Sequence, residues 1–249
     1  KIINVDLKFK NPFLVPKKAS SKFVQNSLEM AHKIALKKNI KGIINCAINK
    51  TLLDKKKSGV TEFLAKKCKI YNDSEVMMIR NNKLSVCPIT THIDIKDISK
   101  KLTIKKIVTK VNTINSWFIK KFKRKPNIGI LGLNPHNAEF RKNSEEILKI
   151  IPAINKLKKK KINLKGPLIP DVVFIKDYKN FDIIVGMYHD QILSPFKSLY
   201  KYNAINVTLG LKYLRVSPDH GVAVDLIGKD KADETSLLRC INFVNQFGK

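Results

Sequence analysis

The chain has 249 residues, 43% of them hydrophobic, and carries a formal charge of +29 with a pI of about 10.0. That is enough apolar material for a large core, and no stretch approaches the roughly twenty apolar residues that cross a bilayer, so neither a disordered tail nor a membrane span is indicated. The charge raises a polyanion as partner. Against this, arginine occurs only at positions 80, 124, 141, 215 and 239, and lysines are scattered beside Ile and Asn as AT-rich codon use produces. Base and phosphate readout favour the arginine fork, so runs such as Lys55 to Lys57 read as solvated faces, and no specific nucleic acid is expected.

In chain order, residues 2–5 are a short strand candidate, followed by a connection punctuated by Pro12 and Pro16. Ser20 or Ser21 is placed to cap a helix over 22–38, with Phe23, Val24, Leu28, Ala31, Ile34 and Ala35 at helical spacing. His32, among lysines on that helix, reads as a partly exposed structural residue. Residues 42–48 read as a strand that ends near Lys50. Residues 75–80 and 84–90 read as antiparallel strands joined at Asn81-Asn82. A single helix is predicted over 94–122, with Trp117 on its packing face or at a subunit contact, then a strand over 127–133. Ser144 is a candidate cap for a helix running to Lys160, with Glu145 and Glu146 at its positive end. A buried strand over 182–187 and a closing helix over 232–247 complete the series. Cys46, Cys68, Cys87 and Cys240 have no CxxC spacing and read as reduced, buried small hydrophobes of a cytoplasmic protein.

Three of the five histidines occupy one topological position. The strand at 83–90 runs through Thr91 into His92, the strand at 127–133 through Asn134-Pro135 into His136, and the strand at 182–187 into Tyr188, His189, Asp190 and Gln191. Ligands of open α/β sheets sit outside the carboxyl ends of the strands. Three neutral imidazoles on one rim suit a divalent transition metal with coordination positions open to substrate. The alternative is that each is a strand-end residue bonded to a neighbour.

Six ordered blocks carry a resemblance: TTH ending at His92, GLNPH ending at His136, GPLIPD ending at Asp171, MYHDQ around His189, NVTLGL opening at Asn206 and SPDHG around His220. From about Lys41 to the C-terminus the chain resembles the 4-hydroxythreonine-4-phosphate dehydrogenase family of vitamin B6 biosynthesis, within the isocitrate and isopropylmalate dehydrogenase-like superfamily. The resemblance implies a single α/β catalytic unit over residues 1–249, two lobes sharing a mixed sheet with the active site in the cleft. It implies a metal-dependent, NAD- or NADP-linked oxidation and decarboxylation of 4-phosphohydroxy-L-threonine to 3-amino-2-oxopropyl phosphate, on the way to pyridoxal 5'-phosphate. His92, His136 and His189 would hold the divalent metal, zinc first and magnesium or cobalt as alternatives, across a homodimer interface with His189 supplied in trans. Asp171 and Lys50 would be catalytic. Thr61, Lys197, Asn206 and Arg215 would bind the phosphorylated hydroxy-amino acid, and His220, Gly221, Ala223 and Asp225 would lie against the dinucleotide. No GxGxxG motif is present, so a Rossmann site is not indicated.

The chain also departs from the family pattern. A GDPxGIGPE-like N-terminal strand and loop has no counterpart here, and the first residue is Lys. Cys46 and Ala47 replace the Gly and Pro of a GPxxK-like segment, and Val60 stands where the family has a substrate-contacting His. An isopropyl group makes no hydrogen bond, so one substrate contact is absent; Lys55 to Lys57 could supply charge instead. The glycines after His136 are replaced by Asn137, Ala138, Glu139 and Phe140, which implies a differently shaped loop. These departures admit two other readings: a related family dehydrogenase acting on another phosphorylated or diol acid, or an inactive fragment that binds polyanions through its charge.

Overall fold

Short β-branched runs such as Ile183-Ile184-Val185 have too few residues for a helix and bury on both sides, and they pair here into one sheet. The computed structural model of the protein describes residues 1–11, 14–53 and 59–248, apart from the side chain of Lys50. Pro12, the lysines at 55–57 and Ser58 lie outside the described residues. Among the described residues the strands are β1 (Ile43–Ile44), β2 (Val76–Arg80), β3 (Ser85–Pro88), β4 (Ile128–Leu131), β5 (Leu164–Leu168), β6 (Ile183–Gly186), β7 (Ile205–Leu209) and β8 (Arg215–Pro218). Their spatial order is β1-β8-β7-β2-β3-β6-β4-β5. β3, β6, β4 and β5 run parallel, as do β1 and β8, while the β3–β2, β2–β7 and β7–β8 pairs are antiparallel, so the sheet is mixed.

Side chains alternate between the faces of a strand, and the alternation divides the interior. Val76, Met78, Ile128, Val185 and Val207 face the helices α4 (Ile104–Phe122), α5 (Ile151–Lys159) and α8 (Thr235–Phe247), where Ile107, Ile114, Phe118 and Phe243 meet them. Met77, Ile79, Val86 and Ile184 face the other way, toward Ile192, Leu193 and Phe196 of α7 (His189–Tyr200). A third cluster joins Ala35 of α1 (Lys17–Ala35) to Ile43, Cys68 and Tyr213, beside α2 (Val60–Lys67). His32 donates to or accepts from the Tyr213 hydroxyl at 2.8 Å and is half-buried, a structural role as expected.

Several local expectations are corrected. Residues 2–5 form no strand, because no neighbour pairs with them. α1 starts at Lys17, ahead of both candidate caps, and Ser21 Oγ instead donates to the Leu52 carbonyl at 2.6 Å. The strand at 42–48 shrinks to β1, which pairs only with β8. The helix expected over 94–122 is interrupted: α3 (Ile98–Lys101) ends at Leu102 in extended conformation, and Thr103 caps a new helix, its Oγ1 accepting from Lys106 N at 3.1 Å. The helix expected from Ser144 opens as a π-turn over Glu146–Ile150, next to Pro152, which has no N–H to donate. Cys46 is exposed, unlike the other three cysteines. α7 has no counterpart among the predicted elements, since Pro195 lies inside it. Among the described residues no helix is long and apolar enough to cross a membrane.

Candidate active site

β3, β6 and β4 are adjacent and parallel, so the segments leaving their carboxyl ends share one edge of the sheet. Two of the three histidines meet there. Thr90 donates through its hydroxyl to the Met187 carbonyl at 2.7 Å and through its amide at 3.1 Å, pinning the end of β3 to the end of β6. The rings of His92 and His189 are consequently 5.6 Å apart within one chain. His189 opens α7, and its Nδ1 lies 2.6 Å from Asp190 Oδ1. A carboxylate can only accept, so Nδ1 carries the hydrogen and Nε2 keeps its lone pair. His92 Nδ1 lies 3.9 Å from Glu62 Oε1, which also accepts from the Thr91 hydroxyl at 3.4 Å. Gln191 spans two strand ends, accepting from Met187 N and donating to the Gly132 carbonyl, each at 2.7 Å.

His136 is not brought to them. It is exposed, lies outside the cavity that the other two line, and opens a left-handed turn in which residues 136–140 have φ between 49° and 57°. Left-handed backbone costs roughly 1–2 kcal/mol for each non-glycine residue, so the turn needs an anchored base. Glu146, fully buried, supplies one: its Oε1 accepts from Leu133 N and Asn134 N at 2.8 Å each, and Oε2 from Asn134 Nδ2 at 3.0 Å. Burial pushes that carboxyl up, and these donors hold it below its ordinary value regardless. Asn137 tucks inward to donate to the Pro167 carbonyl at 3.2 Å, close enough to Gly132 that a Cβ there would strike its side chain. Within this chain, then, His92 and His189 lie together and His136 stands apart on its turn, a different grouping from the His92 with His136 that the resemblance implies. Among the described residues no three His, Cys, Asp or Glu side chains group so as to hold a metal ion.

The floor of the cavity, about 600 Å³ in volume, is the α7-side face of β2, β7 and β8. Alternation sends Val207, Leu209 and Val216 to the other face and leaves Asn206, Thr208, Arg215 and Ser217 on this one. Arg215 is 3% exposed. Its Nε donates to Asn45 Oδ1 at 2.7 Å and its Nη1 to Thr208 Oγ1 at 3.0 Å, and Thr208 is 3.1 Å from the Thr61 hydroxyl at the start of α2. Burial brings the guanidinium pKa down to about 10, so it stays charged. Lys197, on the third turn of α7, is 3.3 Å from Asp219 Oδ2; burial pushes the Asp219 carboxyl up, and Lys197 opposes that. Two buried acceptors around this cavity, Glu62 Oε2 and Asn206 Oδ1, have no hydrogen-bonding partner among the described residues, and Asp219 Oδ2 has the Lys197 ammonium alone. A buried cation beside unpartnered acceptors suits a ligand that carries both an anionic group and a strong donor.

Of the residues singled out in the sequence, Thr61, His92, His189, Lys197, Asn206, Arg215, His220 and Gly221 line this cavity. Ala223 and Asp225 follow on an exposed loop outside it, Asp171 is exposed at α6 (Pro170–Val173), and the Lys50 side chain lies outside the described residues. Thr208, Asp190 and Asp219 stand within the matched blocks and Glu62 beside Thr61 in a matching loop, none with a role assigned from sequence, and Asn45 was not singled out. The i, i+2 spacing of Asn206 with Thr208 was the available signal for one of them.

A model of the family described as pyridoxal phosphate biosynthetic protein PdxA matches residues 1–244. The chain is 41% identical over 239 residues to 4-hydroxythreonine-4-phosphate dehydrogenase of Aquifex aeolicus, covering 94% of this chain and 74% of that protein. It is 36% identical over 222 residues to a provisionally named D-threonate 4-phosphate dehydrogenase of Oceanobacillus iheyensis, covering 86% and 66%. The crystal structure of 4-hydroxythreonine-4-phosphate dehydrogenase from Klebsiella pneumoniae superposes with a TM-score of 0.79 at 29% identity, over 94% of this chain and 72% of that one.

Proposed function

This chain belongs to the PdxA family of pyridoxal phosphate biosynthetic proteins, as a 4-hydroxythreonine-4-phosphate dehydrogenase-like oxidoreductase, and on that premise we propose that it oxidises and decarboxylates 4-phosphohydroxy-L-threonine with NAD or NADP. The observation that carries the substrate choice is the presence of buried Arg215 in one cavity with the unpartnered oxygens of Glu62 and Asn206. Phosphate and carboxylate are matched by Arg215, Lys197 and the Thr61 hydroxyl. An ammonium brings three donors to the unpartnered acceptors; the hydroxyl of D-threonate 4-phosphate brings one. Val60, at the start of α2 on the cavity wall, contributes no hydrogen bond, so discrimination falls to these acceptors.

Two imidazoles facing each other across 5.6 Å, one with its Nδ1 hydrogen directed at Asp190, fit a divalent metal ion as two of its ligands, zinc ahead of magnesium or cobalt. His136 of the partner subunit is the proposed third ligand, with Asp171 of the partner subunit beside it. The exposed apolar side chains of Phe140, Val172 and Ile175, on the segments after β4 and β5, support a contact between copies there. Such an ion, when bound, would supply Lewis acidity toward the substrate hydroxyl, and a bound nicotinamide would supply the hydride acceptor. The protein's share is positional. Arg215 and Lys197 fix the charged ends, and the imidazoles hold the hydroxyl end at the rim. Gly221 has no neighbour within 4 Å of a built Cβ, which leaves room for the dinucleotide over His220.

The test is turnover, read as reduced nicotinamide, on 4-phosphohydroxy-L-threonine and D-threonate 4-phosphate with and without a chelator. The expected result is a kcat/KM at least about tenfold higher for the amino substrate, one charged hydrogen bond's worth, and loss of activity on chelation. Preference for D-threonate 4-phosphate would transfer the assignment to the related dehydrogenase, and no turnover on either would remove it.

A further inference from the structure

Among 49 basic residues only five are arginines, so each marks a place where a planar fork is used in a chain that otherwise uses lysine. Arg215 holds the catalytic floor, Arg124 forks the Asp182 carboxylate at 2.8 and 2.5 Å, and Arg141 Nε reaches the Ala138 carbonyl at 3.4 Å. The remaining two, Arg80 and Arg239, line one cavity of about 180 Å³. It lies on the face of the sheet opposite the catalytic cavity. Arg80 and Ile205 are paired across β2 and β7 and line it, while their chain neighbours Ile79 and Asn206, also paired, line the catalytic cavity. α8 presents Arg239, Asn242 and Gln246 to it along one stripe, and the β2–β3 turn adds Asn81 and Asn82.

No carboxylate lines this cavity. Among the described residues neither arginine has an ion pair, and Arg239 Nε is buried without a hydrogen-bonding partner. Arg80 lies 4.5 Å from the centroid of the Phe122 ring and donates to Ser85 Oγ at 2.7 Å; burial brings its pKa down to about 10, and the carboxylate whose field opposes this, Asp182, is engaged by Arg124. We propose that this cavity is a second binding site, for a small molecule that carries a carboxylate or phosphate group. Two guanidiniums without a carboxylate in a half-enclosed space are costly until an oxyanion neutralises them, and the fork suits such an anion. The amides of Asn81, Asn82, Asn242 and Gln246 supply neutral donors and acceptors for the rest of the molecule. The volume admits a small metabolite, not a nucleotide.

The chain carries its own reporter. Trp117, its one tryptophan, is stacked on Phe243 with ring centroids 6.4 Å apart and planes at 15°, and Phe243 lines this cavity. Inorganic phosphate and succinate, titrated separately at constant ionic strength, are expected to change Trp117 fluorescence saturably; whichever gives the tighter response identifies the head group. Arg239→Gln is expected to weaken that response at least tenfold, and Lys197→Met, in the catalytic cavity, to leave it unchanged. Gln246→Glu places a carboxylate beside the guanidiniums and is expected to abolish the response while raising Tm, which keeps the test decisive should Arg239→Gln fail to fold. The proposal is overturned if neither anion gives a saturable response, if the response persists in Gln246→Glu, or if Lys197→Met removes it.

Discussion

On the floor of the catalytic cavity Arg215 is 3% exposed and its Nε and Nη1 are bonded to Asn45 and Thr208, whereas on the rim His92 and His136 are exposed and the turn carrying His136 holds a backbone that most residues avoid. The floor is finished within one chain by strand alternation, which fixes which side chains point up before any ligand arrives. The rim consists of side chains just past strand ends, where direction is set by loops. Binding charge and performing chemistry are thus assigned to different kinds of structure, and substitutions in the two regions should separate.

The largest effect is expected on the rim. His92→Ala and His189→Ala should each lower kcat by about three orders of magnitude, several kcal/mol of transition-state stabilisation, with Tm nearly unchanged because neither side chain belongs to the buried core. A matched loss of Tm would erase the distinction between rim and floor. Arg215→Met should do the reverse: KM rises about a hundredfold and stability falls by about 2–4 kcal/mol, since Asn45 and Thr208 lose their partner. Smaller again is Thr208→Val, which removes the link from Arg215 to Thr61 and should cost about 1–2 kcal/mol in thermal unfolding, with a modest rise in KM.

The smallest is a pH effect at Asp219. Burial raises its folded pKa above the ordinary value of 3.8, so between those two values the folded chain binds more protons than the unfolded one. Stability from this group is fully present below 3.8 and is lost as pH rises through the raised value. Asp219→Asn cannot ionise, so its Tm should gain on wild type across that window and then run parallel. A gap that widens as pH falls would mean that Lys197, not burial, governs the group.

Much of this was legible in the residues. Alternation in NVTLGL and the apolar run before His189 fix β7 and β6 and their faces, because period two is a local property. The position of His92 and His189 past strand ends was equally readable, since parallel neighbours share an edge. The place of His136 was not: β6 adjoins β3 and β4 alike, and it is the turn after β4 that carries His136 away from the other two. Nor was the left-handed turn at His136, where the residues lack the glycines that usually signal it, nor α7, which Pro195 disguises. Asn45 escaped notice and Asp219 had no role assigned because their roles come from partners 170 and 22 residues away.

Mixing subunits tests the split between a complete floor and an incomplete rim most directly. Inactive His92→Ala and His136→Ala chains, unfolded and refolded together in equal amounts, should recover about a quarter of wild-type activity, because half the dimers are mixed and one of their two sites is intact. His92→Ala mixed with His189→Ala should recover none, as both residues serve the same site from the same chain. Recovery in the second mixture, or none in the first, would contradict the account.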